Sequence, residues 1–364
     1  MFASSPLTVS SLLAALAGYL VFVAALFVCA RWLPGRMLRG FPQADGKRQT
    51  YRINGMSLWV LTHMVVIAGT LHFDLTLSPL LDQFWALFVA TNLVSIGASI
   101  WLWLRAPRTA EERTSRWGGL QSFWFGRALN PQLAGVDLKT FAYQPSLIGL
   151  WLLVLAFGYQ QYETLGTLTP QMLLFQGFWW LYLTTHYLFE GGILSMWDII
   201  AERFGFMLVW GDLTVVPFFY AIGGWVLVHQ TVPISSATAI GLCALFTLGL
   251  WIFREANAQK HRFKLDRDTL IWGQPPRLVG GRLLISGWWG IGRKLNYTGE
   301  ICVYLAIALT AGFSSWLPYL VVLWLCILLP QRAMRDEQRC RTKYGPLWDE
   351  YCQYARFRMI PFIY

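Results

Sequence analysis

The sequence predicts an all-α, polytopic membrane protein with about nine to ten transmembrane helices and no Rossmann domain. Three observations predict it. Of 364 residues, 56% are hydrophobic and 13% charged, with a mean hydropathy of +0.45; a soluble domain carries about a quarter charged residues. Apolar runs recur near 10–33, 56–72, 83–105, 143–160, 171–190, 205–230, 236–253, 298–313 and 316–330, and a spanning helix needs ~20 residues. If all nine cross with the N-terminus outside, the outer segments 1–9, 73–82, 161–170, 231–235 and 314–315 contain no Lys or Arg. All 29 Lys and Arg residues then fall on the inner side or at its boundary, as positive-inside topology requires. This implies an odd number of crossings and a cytoplasmic C-terminus. A tenth, half-buried segment around 273–290 is an open alternative, and the shorter runs are expected to tilt, re-enter or be extended by neighbours.

The elements follow in order. Run 10–33 is too long for a signal-peptide core and has no basic residues before it, so it reads as a helix. The basic inner loop 31–56, "RWLPGRMLRGFPQADGKRQT" within it, reads as a surface loop meeting anionic headgroups. In the inner loop 105–142, the Gly, Asn and Pro of "FGRALNPQLAGVDLKTF" mark a turn whose polar groups need partners. Most of the twenty tryptophans suit an interfacial belt or core. The cysteines, Cys29, Cys243, Cys302, Cys326, Cys340 and Cys352, show no CxxC spacing, so neither a metal site nor a disulfide framework is indicated. The net charge of +10 is explained by topology, and no nucleic-acid partner is expected.

Chemistry concentrates late, with 16 of the 29 Lys and Arg residues in 254–358. In "REANAQKHRFK", Lys260 and Lys264 are four apart and share a helix face; they suit either a membrane-surface cluster or a phosphate site. "GWWGIGRKLNYTGE" is rich in glycine and allows close backbone approach, but no βαβ unit accompanies it, so it is no dinucleotide fingerprint. In the tail, Arg332, Asp336, Cys340 and Lys343 lie along one helix face, and Gly345-Pro346 ends that helix. Asp336 among arginines suits a salt bridge, or a carboxylate accepting from a ribose while arginines hold phosphates. Within apolar "WWLYLTTHYLFEGG", Tyr182, His186 and Glu190 are spaced i, i+4, i+8, and Asp198 and Asp212 follow. Ionisable groups in such runs mark functional sites unless they are satisfied between helices or snorkel at helix ends.

In chain order, "FGRALNPQ", "FGFMLVWGDL", "IFREANAQKHRFK", "LLISGWWGIGRKLNYTGE" and "RDEQRCRTKYGPLWDEYC" with "YARFRMIPFIY" resemble the sterol reductase family of ergosterol and cholesterol synthesis, over about residues 118–364. That family includes the C14, C7 and C24 reductases and the lamin B receptor membrane domain. The resemblance implies N-terminal helices over 1–117 and a catalytic region over 118–364. Its sterol pocket would lie in about 118–253 and its cytoplasmic-side NADPH pocket in about 254–364. It implies NADPH contacts at Lys260, Lys264, Leu284, Trp289, Asn296, Tyr297, Asp336, Cys340, Arg341, Thr342, Lys343, Tyr344 and Tyr351. It further implies substrate contacts at Asp198 and Asp212, in an endoplasmic-reticulum-type or bacterial inner membrane. Expected partners are a sterol, NADPH and the bilayer; oligomeric state is not indicated.

The implied reaction protonates a sterol alkene and adds hydride, with Tyr182 as acid and His186 or Glu190 as relay. Departures from the family pattern are Ser122, Gln132, Thr185 and Gln331, where relatives carry Asp, Arg, Asp and His, and Lys264, which resembles an Arg site. Two other readings stand beside this one: a membrane methyltransferase using S-adenosylmethionine, and a sterol-binding protein without catalysis.

Overall fold

Long apolar segments can satisfy their backbone groups in a bilayer only by forming helices or a closed barrel, and here they form helices. The computed structural model describes residues 6–42, 48–109, 112–113 and 117–364. Among the described residues, six helices are long and apolar enough to cross a membrane: α1 (Val9–Trp32), α2 (Gly55–His72), α4 (Phe84–Arg105), α6 (Leu138–Leu165), α9 (Phe206–Leu227) and α10 (Ser236–Leu265). Between them lie the one-turn α3 (Ser78–Asp82), α5 (Gly118–Phe125), α7 (Pro170–Leu188) and α8 (Trp197–Ile200).

The remaining apolar runs take other forms for identifiable reasons. Run 171–190 forms α7, diluted by Gln171, Gln176, Thr184, Thr185 and His186. Run 298–313 forms the fifteen-residue α12 (Leu295–Leu309), about 22 Å at ~1.5 Å per residue. Run 316–330 is the first half of α13 (Tyr319–Tyr344), whose second half is charged. The stretch 273–290 is no crossing: it makes a minimal hairpin, Leu278–Val279 with Leu283–Leu284, before the one-turn α11 (Trp288–Ile291). Among the described residues the only sheets are two-stranded and antiparallel, so no βαβ unit is present.

The chain divides into two compact units, Met1–Leu168 with Trp179–His229, and Thr169–Phe178 with Gln230–Tyr364. In the first, α6 is apolar on nearly every face and correspondingly buried, and α1, α2, α3 and α9 pack around it. The basic loop contains more order than a surface loop: β1 (Arg36–Pro42) and β2 (Arg48–Ile53) pair antiparallel, while residues 43–47 lie outside the described residues. Alternation turns Tyr51 and Ile53 inward onto Ile193, Leu194 and Ile199. Asp137 caps α6 by accepting from Thr140 N at 2.8 Å and also accepts from Gln49 at 2.8 Å.

Lys139, only 1% exposed, donates to the carbonyls of Asp198 (2.6 Å), Ile199 (3.3 Å) and Glu202 (2.6 Å). It satisfies carbonyls at the C-terminal end of α8, where an ammonium also suits the helix dipole. Lys139→Met is expected to lower stability by about 2–4 kcal/mol, because three carbonyls lose that donor. Thermal unfolding of the detergent-solubilised protein reads the loss; an unchanged midpoint would contradict this role.

Candidate active site

In the second unit, Ser235 caps α10 by accepting from Thr238 N at 3.1 Å. The helix then meets α12 at two glycines. A Cβ on Gly249 would lie 2.8 Å from Gly299 O, and one on Gly299 2.6 Å from Gly249 O. The backbones therefore touch, as small residues permit in membrane helices. The C-terminal end of α10 carries Gln259, Lys260 and Phe263. The Oε1 of fully buried Gln259 accepts from Trp288 N at 3.0 Å. Gly287 has φ +61, and a Cβ there would collide with Gln259 Oε1, so this turn requires glycine.

Trp289 ties three elements together. Its indole N–H donates to Ala256 O at 2.9 Å, its carbonyl accepts from the Tyr351 hydroxyl at 3.1 Å, and the Lys260 ammonium sits 4.7 Å from its ring centroid. Leu284 and Trp289 share a core cluster with Phe263 and Ile271.

The tail is helical through Tyr344 and stops at Gly345, φ +55, before α14 (Pro346–Tyr354). Asp336 forms an ion pair with Lys294, a buried cation that sequence reasoning missed. Burial alone would push the Asp336 carboxyl up; the charges of Lys294, Lys260 and Arg339 outweigh it and hold the group below the usual carboxylate range. Burial pulls Lys294 down, and Asp336 more than restores it. Glu337, on the neighbouring face, accepts from Arg293 Nε at 2.8 Å and from Arg358 at 2.9 Å through both oxygens. Arg293 also donates to Ala355 O at 2.7 Å and Arg356 O at 3.0 Å, pinning the last segment.

The structure therefore gathers Lys260, Leu284, Trp289, Asn296, Asp336, Cys340 and Tyr351 in one part of the unit, with Tyr297 half-buried beside Lys294. Tyr344 stacks on Trp348, and Cys340 packs on the same cluster. Burial first, and Asp336 second, push the Cys340 thiol up, so it is a packing group rather than a nucleophile. Lys264, Arg341, Thr342 and Lys343 are solvent-exposed. Arg341 approaches Asp349 at 3.9 Å with both side chains largely exposed, a contact of little energy. Thr342 donates back to Gln338 O at 3.1 Å. Two buried polar atoms here, Asn296 Oδ1 and Trp288 Nε1, have no hydrogen-bond partner among the described residues. Together with the excess of ammonium groups over carboxylate around Asp336, they fit an anionic ligand rich in hydroxyls and phosphates.

In the first unit, Tyr182 and His186 lie four apart on α7. Tyr182 is buried, its ring 6.0 Å from Trp179 in an edge contact. The His186 ring lies 5.4 Å from Tyr187 and 6.2 Å from Tyr143. Glu190 does not continue that face. α7 ends at Leu188, and Glu190 starts a 3₁₀ turn, where it accepts from Gly55 N at 2.8 Å. Asp198 is buried and accepts from the Tyr143 hydroxyl at 3.5 Å. Asp212 sits half-buried on the π turn within α9.

The departures from the family pattern fall on varied ground. Ser122 is buried, accepting from Trp103 Nε1 at 2.8 Å, whereas Gln132 is exposed. Thr185 donates back to Tyr182 O at 2.9 Å. Sequence reasoning missed Gln259, Arg293, Lys294 and Glu337. The nearest signal was the polarity of "GRKLN" and "RDEQR", where charges exceed what a helix end needs.

Comparison with known proteins matches residues 12–364 to the Ergosterol biosynthesis ERG4/ERG24 family. The chain is 39% identical over 357 residues to a Delta(14)-sterol reductase of Arabidopsis thaliana, covering 95% of this chain and 94% of that one. It is 37% identical over 341 residues to a Delta(14)-sterol reductase of Methylotuvimicrobium alcaliphilum, covering 92% and 79%. It is 29% identical over 374 residues to the 7-dehydrocholesterol reductase of Danio rerio, covering 95% and 78%. With a match running almost the whole length of the sequence, this chain belongs to the Ergosterol biosynthesis ERG4/ERG24 family.

Proposed function

We propose that the protein is an NADPH-dependent reductase of a sterol carbon–carbon double bond. Δ14 stands first, because its relatives of that name are the more similar of those compared; Δ7 and Δ24 follow. The observation that carries the cofactor is the cationic cluster of buried Lys294 and half-buried Lys260 around Asp336. S-Adenosylmethionine has no phosphate to match it. Lys260, Lys294 and Lys264 would hold phosphates, Asp336 a ribose, and Trp289, Leu284 and Tyr351 the walls, in a pocket of about 254–364 on the cytoplasmic side. The sterol pocket is placed in about 118–253, with Asp198 and Asp212 at its polar points, and 1–117 as accessory helices. NADPH supplies the hydride when bound.

Tyr182 gives its phenolic proton to one alkene carbon: the O–H bond breaks, a C–H bond forms, and the other carbon becomes a tertiary cation. Buried aromatic rings packed on Tyr182, such as Trp179, exclude water from the proton donor. His186, one turn along, returns a proton to the tyrosinate; Glu190, held on Gly55 N, lies off that face. Hydride from bound NADPH would go to the cationic carbon and so complete the reduction of that one double bond.

Lys260→Met is expected to raise the NADPH dissociation constant roughly 10- to 50-fold, the worth of one charge-assisted hydrogen bond, with an unchanged unfolding temperature. Titration of tryptophan fluorescence with NADPH measures it. Equal affinity in variant and wild type would remove NADPH from this cluster. Sterol profiling after expression in a reductase-deficient yeast identifies the double bond.

A further inference from the structure

Away from Tyr182, three elements of the first unit meet in an aromatic cluster. Trp59 and His63 of α2 lie 4.4 Å apart, edge to face; Trp59 is 5.4 Å from both Trp151 of α6 and Tyr187 of α7, and His63 is 5.6 Å from Trp151. The Trp59 indole is satisfied by Thr184 Oγ1 at 3.1 Å. Three further polar atoms of the cluster are not. His63 Nε2, Trp151 Nε1 and the Tyr187 hydroxyl are each buried and have no hydrogen-bond partner among the described residues. Trp151 and Tyr187 are only 4% and 3% exposed. Buried polar groups are normally paired, and three on one cluster point to an occupant.

The donor pattern defines that occupant. His63 Nδ1 lies 2.8 Å from Trp59 O; a carbonyl only accepts, so in the neutral ring Nδ1 carries the hydrogen and Nε2 presents a lone pair. Trp151 Nε1 can only donate, and Tyr187 donates or accepts. A hydroxyl matches all three: its hydrogen goes to His63 Nε2, and its oxygen accepts from Trp151 or Tyr187. A ketone has nothing for His63, and a carboxylate would meet its lone pair. The flat walls of Trp59, Trp151 and Tyr187 suit an apolar ring body behind that hydroxyl.

We infer that His63, Trp151 and Tyr187 form a receptor for one neutral hydroxyl, the hydroxyl of the sterol substrate. This rests on the sterol reading above; a water molecule offers the same chemistry and is the competing occupant.

The test is competition binding of a 14-ene sterol and the matching 3-ketone to the full-length protein in lipid nanodiscs. Wild type is expected to prefer the alcohol roughly tenfold, about the worth of one buried hydrogen bond. His63→Phe keeps the ring and removes the acceptor, so it should erase the preference while leaving ketone affinity unchanged. Trp151→Phe, whose lost donor serves either oxygen, should weaken both ligands alike; it also carries the test should His63→Phe not fold. Equal binding of alcohol and ketone by wild type, or a preference that survives His63→Phe, overturns the proposal and leaves the sterol reading standing. Failure of both ligands to bind wild type overturns the sterol reading as well.

Discussion

Tyr182→Phe is expected to reduce sterol turnover by roughly 10²- to 10⁴-fold, the usual contribution of a positioned general acid, while NADPH binding stays intact. The substitution removes one oxygen from a buried ring whose edge contact with Trp179, at 6.0 Å, persists in phenylalanine. Folding should therefore be little disturbed, and the loss should fall on kcat rather than on sterol affinity. The assay is NADPH oxidation with product analysis across a sterol panel, beside NADPH titration of the same preparation. Wild-type turnover would eliminate Tyr182 as the proton donor. Glu190 provides a contrast. Its carboxylate accepts from Gly55 N at the start of α2, so its loss loosens the backbone around Tyr187 and falls on stability rather than on the proton transfer.

The largest effect on stability is expected at Glu337. Glu337→Ala leaves the Arg293 and Arg358 guanidiniums without their shared carboxylate; the Glu337 side chain is 7% exposed and that of Arg293 10%. Breaking a buried ion pair from one side costs about 3–5 kcal/mol. The damage should extend to the C-terminal segment, which hangs on Arg293 through Ala355 O and Arg356 O and on Thr298, whose hydroxyl donates to Met359 O at 2.8 Å.

Acid should reproduce part of this effect. Burial pushes the Glu337 carboxyl up, but hydrogen bonds and charge from Arg358 and Arg293 hold it below its ordinary 4.5. A carboxyl depressed in the folded state stabilises fully above its unfolded value and loses that contribution as pH falls through the folded one. Wild type should therefore lose stability below about pH 4.5, and Glu337→Ala should lose less over the same range. Unfolding midpoints at several pH values measure both; parallel profiles would remove Glu337 from the acid response.

Much of this protein was legible in its sequence. Long apolar runs announce membrane helices, because the transfer of apolar surface acts on local composition. The break at Gly345-Pro346 was legible too, since φ +55 at Gly345 is a conformation that glycine adopts freely. The one-face spacing of Asp336 and Cys340 follows from the helical period alone. Less legible was the number of crossings: α12 and α13 show how an apolar run can be too short, or continue into a charged helix, without a change in composition.

Composition, period and turn chemistry thus determined by themselves that the chain is helical, apolar enough to span a membrane, and densely cationic toward its end. Only the tertiary structure decided which cation meets which carboxylate: Lys294 with Asp336 across 42 residues, Arg293 with Glu337 across 44. It also decided that Glu190 turns away from α7 to Gly55, and that His63 Nε2 stays unpaired beside Trp151. Helical period and hydropathy are properties of neighbours in the chain. Ion pairs and orphaned hydrogen-bonding atoms arise where distant segments pack, and the glycine contact of Gly249 with Gly299 that sets such packing is visible only once both backbones are in place.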